Sequence, residues 1–163
     1  AAEALARLYE GFDAQLVITG MAQEDVDRIS SAPTVAIASD GSSLRSTGPL
    51  SAGKPHPRSY GTFPRFLSMV RETNLVSLEE AIRKMTSLPA ERMKLTRRGR
   101  LSPGQFADVV VFDSNEVQDL ATFESPHEYS EGIEQVLVNG TIVVCDGKPT
   151  GKRPGRVLRS STE

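Results

Sequence analysis

The sequence predicts an α/β fold built from two unequal parts. Two short apolar runs rich in β-branched residues alternate with helical patterns before residue 41, and neither shows the polar alternation of a half-exposed strand. Strands of this kind are typical of a parallel sheet covered by helices. Beyond residue 99, turn residues and valine-rich runs predict a small β part. We therefore divide the chain into residues 1–97 and residues 98–163.

The first part opens in the order helix, strand, helix, strand. The predicted elements are an opening helix that stops at Gly11, a strand over Ala14–Thr19, a helix over 21–30 and a strand over Thr34–Ala38. Two parallel strands cannot form a covered sheet alone, and the chain opens inside a helical pattern without an initiator Met. We therefore expect it to be a fragment of a longer protein.

A long loop over residues 41–60 separates these elements from two further helices. Apolar residues at helical spacing predict a helix over 62–72, and Ser77 begins a capping box that starts the next helix. This helix should end before Pro89, and a short helical turn over Ala90–Lys94 should follow.

The small β part contains a strand and a hairpin. We predict a strand over Ala107–Phe112, an irregular stretch over 114–131, a hairpin of Ile133–Val138 and Thr141–Cys145 around Asn139-Gly140, and an exposed tail over 147–163. The Asn-Gly pair favours a type I′ turn, because both of its residues tolerate positive φ angles.

Composition excludes several classes of protein. The chain has 163 residues, of which 38% are hydrophobic, and no apolar run approaches the roughly 18 residues of a membrane span. Its formal net charge is −2, whereas nucleic-acid-binding domains are usually strongly basic. We therefore expect no membrane and no nucleic acid among its partners.

Cysteine and histidine are scarce. One cysteine and two histidines cannot build a metal site by themselves, so such a site would need carboxylates or ligands from outside this chain. We predict that Cys145 is a buried small hydrophobe and that His127 is structural. The absence of disulfide-type cysteines agrees with a cytoplasmic location.

Asp40 is the first candidate for chemistry. It follows a predicted buried strand, at the end where α/β sheets and barrels build their active sites. A carboxylate at this position suits proton transfer or metal binding. The alternative is a Ser-Asp-Gly turn in which Asp40 bonds its own backbone.

The segment Lys54–Arg58 is the second candidate. Two prolines stiffen it, and an arginine displayed on a stiff loop can grip a carboxylate through two parallel hydrogen bonds. An ordinary solvated basic loop is the alternative, and His56 could equally be a packing residue. The exposed arginines of the tail suit either a solvated surface or a clamp on acidic surface elsewhere; they are Arg153, Arg156 and Arg159.

Two strings resemble one family. Ile37–Gly41 (IASDG) and His56–Arg65 (HPRSYGTFPR) resemble the D-aminoacylase, or N-acyl-D-amino-acid deacylase, branch of the amidohydrolase superfamily. Further segments agree with it: Arg83–Ala90, Gly99–Asp113, Ala121–Phe123, Gly132–Gly140 and Thr150–Leu158.

The resemblance implies a fold and an activity. Residues 1–97 would supply the last strands and helices of a TIM-like (β/α) barrel, and residues 98–163 the C-terminal share of a small β-sandwich domain. The enzyme would hydrolyse the amide of an N-acyl-D-amino acid with the help of zinc, whose main ligands would lie upstream of Ala1. The remainder of the barrel, or another copy of the chain, would be its protein partner.

The resemblance also implies residue roles. Asp40 would bind the metal and act as general base and then acid, and Arg58 would grip the substrate α-carboxylate. His56, Ser39 and Gly41 would complete the substrate site. The loop before His56 looks longer than is usual in these enzymes, which leaves the substrate preference open.

Two alternatives stay open. The chain could be a stand-alone, non-catalytic remnant that binds a partner, or an amidohydrolase that acts on another amide. If the chain is instead a fragment of a longer enzyme, we expect it to be inactive alone and to fold poorly or self-associate, because its sheet edges would be open.

Overall fold

A computed structural model describes Glu3, Ala6, Glu10 and residues 20–159. The predicted opening helix lies largely, and the predicted strand Ala14–Thr19 wholly, outside the described residues.

The helices lie in the first part of the described chain. They are α1 (Gln23–Ser31), a 3₁₀ turn (Pro49–Ser51), α2 (Arg58–Thr73), α3 (Leu78–Met85) and α4 (Ser87–Arg92). Each helix predicted within residues 21–85 is confirmed, although α2 begins four residues earlier than its apolar pattern. Within this described part, no helix has both the length and the apolar character needed to cross a bilayer.

Ser77 caps the N-terminus of α3 as predicted, but only one of the two hydrogen bonds of a capping box forms. Ser77 Oγ accepts the backbone N–H of Glu80 at 3.2 Å. The Glu80 carboxylate does not return to the cap and instead accepts two hydrogen bonds from Arg83, at 2.7 and 2.8 Å. The predicted turn after it is α4, which starts three residues early. Pro89 fits within its first turn, where the backbone N–H groups have no partner inside the helix.

The strands form one antiparallel sheet in the order β1 (Val109–Phe112), β2 (Ile133–Val138), β3 (Thr141–Cys145) and β4 (Lys148–Pro149). The hairpin between β2 and β3 is confirmed, because Asn139 and Gly140 have φ angles of 48° and 77°. Cys145 is only half-buried, contrary to the prediction, because it pairs with Lys148 beside the exposed edge strand.

The predicted strand Thr34–Ala38 is wrong in the described structure. These residues join no ladder among the described strands, and two of their backbone groups bond to Lys84 of α3. Ile37 N–H donates to the carbonyl of Lys84 at 3.1 Å, while the Lys84 ammonium donates to the carbonyls of Ala32 and, at 2.9 Å, Val35. Within the described residues, a fully buried lysine is thus the hydrogen-bonding partner of this segment.

One apolar core joins the helices to the sheet. Its buried members are Phe66, Leu67 and Val70 of α2, Ala81 of α3, and Val117, and the partly buried Phe112 and Ile133 pack against them. Arg71 reinforces this contact, because its guanidinium donates to the carbonyls of Ser114 and Val117 at 3.2 and 2.8 Å. The core draws on both sides of residue 97, and the division into two domains there stays a prediction.

Candidate active site

The structure brings Asp40 and Arg58 together. Asp40 Oδ2 lies 2.8 Å from Arg58 Nη2, and the two side chains are 86% and 45% exposed. An exposed ion pair of this kind contributes only about 0–1 kcal/mol to stability. The pair therefore contributes little to the fold, and it places a carboxylate beside a guanidinium with both side chains accessible from solvent.

The loop after Asp40 lies against the start of α2. A side chain at Gly41 would place its Cβ 2.9 Å from Ser59 Cα and 3.1 Å from the carbonyl of Arg58, so only glycine permits this approach. Ser42 N–H also donates to Ser59 Oγ at 3.3 Å. These contacts hold the backbone that carries Asp40 next to the first turn of the helix that carries Arg58.

The turn at Asp40 differs from the turn that the sequence suggested. Ser39 Oγ, and not the Asp40 carboxylate, accepts the backbone N–H of Gly41, at 3.2 Å. Asp40 itself adopts a positive φ of 48°, which Asp and Asn tolerate better than most residues. The hydroxyl of Ser39 therefore stabilises the turn, and the carboxylate of Asp40 stays available to Arg58.

The His56 side chain turns toward the start of α2, the helix that follows it. Its Nδ1 accepts the backbone N–H of Arg58 at 3.1 Å, and its ring packs edge-on against Phe123 with centroids 5.0 Å apart. Burial lowers the pKa of His56, and the positive charges of Arg58 and Arg65 lower it further. Both effects favour the neutral imidazole, and the hydrogen bond that Nδ1 accepts assigns the ring proton to Nε2.

An aromatic cluster beside the site was missed by sequence reasoning. The Tyr60 ring lies 5.8 Å from that of His127 and 5.7 Å from that of Tyr129. Burial raises the pKa of Tyr60, whereas the hydrogen bond that Tyr129 accepts from Ser46 N–H, at 3.2 Å, lowers the pKa of Tyr129. His127 packs on Tyr60, and its structural role stays a prediction. The only signal in the sequence was that these aromatic residues lie in two segments predicted to be irregular, 41–60 and 114–131.

The irregular stretch over residues 122–129, which we call the brace, holds the long loop in place. It contacts the loop through Phe123 on His56, through Tyr129 on Ser46, and through the carbonyl of Glu124, which accepts from Lys54 Nζ at 3.3 Å. These three contacts hold the loop at Ser46, Lys54 and His56, that is, from near its start to just before α2.

A complete metal site is not present among the described residues. No group of three His, Cys, Asp or Glu side chains in this part of the chain is close enough to hold an ion. Asp40 would offer a single carboxylate, and His56 has one ring nitrogen already engaged by Arg58. The described residues therefore do not fit zinc by themselves. The tail arginines Arg153, Arg156 and Arg159 are exposed, and an arginine is not a zinc ligand.

Comparison with known proteins extends the resemblance. The model of the amidohydrolase family matches residues 8–144. The N-acyl-D-aspartate deacylase of Alcaligenes xylosoxydans xylosoxydans is 49% identical over 140 residues, which are 85% of this chain and 26% of that protein.

Two solved structures agree. A crystal structure of D-aminoacylase superposes with a TM-score of 0.77 at 45% identity, covering 85% of this chain and 28% of that one. The N-acyl-D-glutamate deacylase from Bordetella bronchiseptica, complexed with zinc and a phosphonate mimic of the tetrahedral intermediate, gives 0.75 at 44% identity with the same coverage.

These matches confirm the resemblance drawn from the two strings around Asp40 and Arg58. The chain spans little more than a quarter of the length of the relatives it matches, 26% and 28% in the cases above. The family model itself covers most of the present sequence, from residue 8 to residue 144. The chain belongs to the amidohydrolase family.

Proposed function

We propose that this chain is the C-terminal part of a zinc-dependent hydrolase that removes the acyl group from N-acyl-D-amino acids. The observation that carries the proposal is the 2.8 Å contact between Asp40 and Arg58. The relatives named above, with 44–49% identity, include deacylases of N-acyl-D-aspartate and N-acyl-D-glutamate.

Arg58 anchors the substrate α-carboxylate. A guanidinium grips a carboxylate through two parallel hydrogen bonds. Arg58 is the first residue of α2, so the helix fixes its backbone. In an N-acyl amino acid the carboxylate and the amide nitrogen share one carbon atom. A substrate anchored on Arg58 therefore presents its amide close to Asp40.

Asp40 moves the proton. Its carboxylate accepts a proton from the attacking water, so that the water oxygen can bond to the amide carbonyl carbon. The same proton then passes to the amide nitrogen as the C–N bond breaks, which releases the free D-amino acid and a carboxylic acid that loses its own proton to water. Asp40 returns to its ionised form and is not consumed.

In this proposal, most of the zinc ligands come from the rest of the longer protein. Asp40 is the one metal ligand that we assign to this chain, and the other ligands belong to sequence outside it. In the same proposal, residues 1–97 supply the end of a TIM-like barrel and residues 98–163 a share of a β-sandwich domain, in a cytoplasmic enzyme. Ser39 and Gly41 line the site around Arg58, and His56 lies directly before Arg58 at its edge.

The test uses the protein expressed from its complete gene and loaded with zinc. We expect it to hydrolyse N-acetyl-D-amino acids and to leave the L-enantiomers intact. Arg58→Ala should raise KM at least about tenfold, the equivalent of about 1.4 kcal/mol, because an anchoring charge is lost. Arg92→Ala, a change at an exposed arginine of α4, is the matched control. Failure of the zinc-loaded wild type on every N-acyl-D-amino acid would contradict the proposal and favour another amide or a binding module.

A further inference from the structure

We propose that His56 is a positioning residue, which holds Arg58 in place through the first turn of α2 instead of touching the substrate itself. The proposal deepens the function above and rests on the role assigned there to Arg58. It concerns a contact that lies wholly within the described residues.

The contact is a helix cap. The residue that precedes α2, Pro57, has no side chain able to accept a hydrogen bond from the helix. The ring of His56 supplies that acceptor, because its Nδ1 receives the backbone N–H of Arg58 at 3.1 Å. The first N–H groups of a helix otherwise have no partner within it. The group that His56 satisfies belongs to the residue whose guanidinium reaches Asp40.

The backbone of His56 completes the same turn. Its carbonyl accepts the N–H of Ser59 at 3.0 Å, while the carbonyl of Pro57 accepts those of Tyr60 and Gly61 at 2.9 and 3.2 Å. Both faces of the His56 residue, side chain and main chain, are therefore bonded to the first turn of α2. Movement of the imidazole would move the backbone of Arg58 with it.

The imidazole is held from the other side by the brace. Phe123 meets the ring edge-on at 5.0 Å, and Lys54 Nζ ties the preceding loop to the carbonyl of Glu124. Pro55 and Pro57 restrict the backbone on either side of His56. The ring thus forms a rigid link from the brace to Arg58.

The electrostatic surroundings keep the acceptor free of a proton. The charged groups that face His56 are Arg58 and Arg65, both cationic, and together with burial they lower its pKa. A protonated Nδ1 could not accept the Arg58 N–H. The neutral form is therefore the one that the site requires.

The test compares two variants in the zinc-loaded, full-length protein. His56→Ala removes the acceptor, whereas His56→Asn keeps an acceptor oxygen near the position of Nδ1. We expect His56→Ala to raise KM about tenfold with little change in kcat, and His56→Asn to recover most of that loss. Equal losses in both variants would overturn the proposal.

A double-mutant cycle separates positioning from direct contact. If His56 acts only through Arg58, His56→Ala should add nothing to the KM of Arg58→Ala. An undiminished effect of His56→Ala in the Arg58→Ala protein would show that His56 meets the substrate itself, and would contradict the proposal.

A readout without turnover keeps this proposal apart from the proposed function. In histidine-labelled wild-type protein, nitrogen NMR should show His56 as the Nε2–H tautomer with Nδ1 unprotonated. Exchange of the Arg58 amide should be about tenfold faster in His56→Ala, while that of Gly140, which donates to Ala107, stays unchanged. The opposite tautomer would overturn the positioning role even in an active enzyme, and the expected one would support it even if no N-acyl-D-amino acid were hydrolysed.

Discussion

The carboxylate of Asp40 lies 2.8 Å from the guanidinium of Arg58, although a long loop separates them in the sequence. The loop returns to its starting point because Gly41 allows close approach to Ser59 and because the brace holds its far end at His56. The candidate site therefore depends on an irregular stretch of the small β part as much as on Asp40 and Arg58 themselves.

Replacement of Asp40 should separate chemistry from stability. Asp40→Asn keeps a residue that tolerates a φ of 48°, but it removes the proton acceptor. We expect kcat/KM of the full-length protein to fall about 10²–10⁴-fold while the free energy of unfolding changes by less than about 1 kcal/mol. Steady-state kinetics and thermal unfolding of the same preparation measure both quantities.

Asp146→Asn is the matched control for this change. Asp146 is also exposed and has a φ of 49°, but it lies in the turn after β3. Its replacement should leave kcat/KM unchanged. Retained activity in Asp40→Asn would remove Asp40 from the mechanism.

Gly132 should be intolerant of any side chain. Its φ is +77°, and a Cβ there would lie 2.4 Å from the backbone nitrogen of Val117 in the core. Gly147 has a similar φ of +69° but nothing within 4 Å of the same position. Gly147→Ala should therefore cost only the left-handed conformation, about 1–2 kcal/mol, and Gly132→Ala about 1–3 kcal/mol more. Denaturant unfolding of the two variants measures the difference, and equal costs would show that the approach to Val117 is not tight.

Lys84 should be required for the segment that leads to Asp40. Lys84→Met removes the donor to the carbonyls of Ala32 and Val35, and we expect a loss of about 1–3 kcal/mol in the free energy of unfolding. Lys152→Met, in the exposed tail, should stay within about 0.5 kcal/mol of the wild type. A Lys84→Met protein as stable as this control would show that these carbonyls find other partners.

His56 should make stability depend on pH in the acid range. Its folded-state pKa lies below the ordinary value of 6.5, so the unfolded chain binds a proton more readily than the folded protein. The stability that this group contributes is present above pH 6.5 and is lost as the pH falls through the lower, folded-state pKa. On acidification the free energy of unfolding of the wild type should therefore fall relative to that of His56→Asn, which has no group to titrate at this position. A constant difference across that range would contradict the lowered pKa.

Local patterns predicted the helices and the hairpin well, because each is stabilised largely by contacts close in sequence. The spacing of Phe66, Leu67 and Val70 predicts the buried face of α2, and Ser77 marks the start of α3. The Asn139-Gly140 pair predicts its turn from backbone conformation alone. The strand Thr34–Ala38 failed for the opposite reason. A strand exists only with a ladder partner, and in the described structure these residues meet the buried Lys84.

The sequence by itself determined the candidates for chemistry, a carboxylate at Asp40 and a stiffened basic segment at Lys54–Arg58, and it contained two strings specific enough to name a family. Only the tertiary structure decided that Arg58 reaches Asp40, that His56 turns inward to cap α2, and that residues 122–129 brace the loop. The physical reason is range. Residue types and spacings report on neighbours along the chain, whereas these contacts join positions whose approach depends on the whole fold.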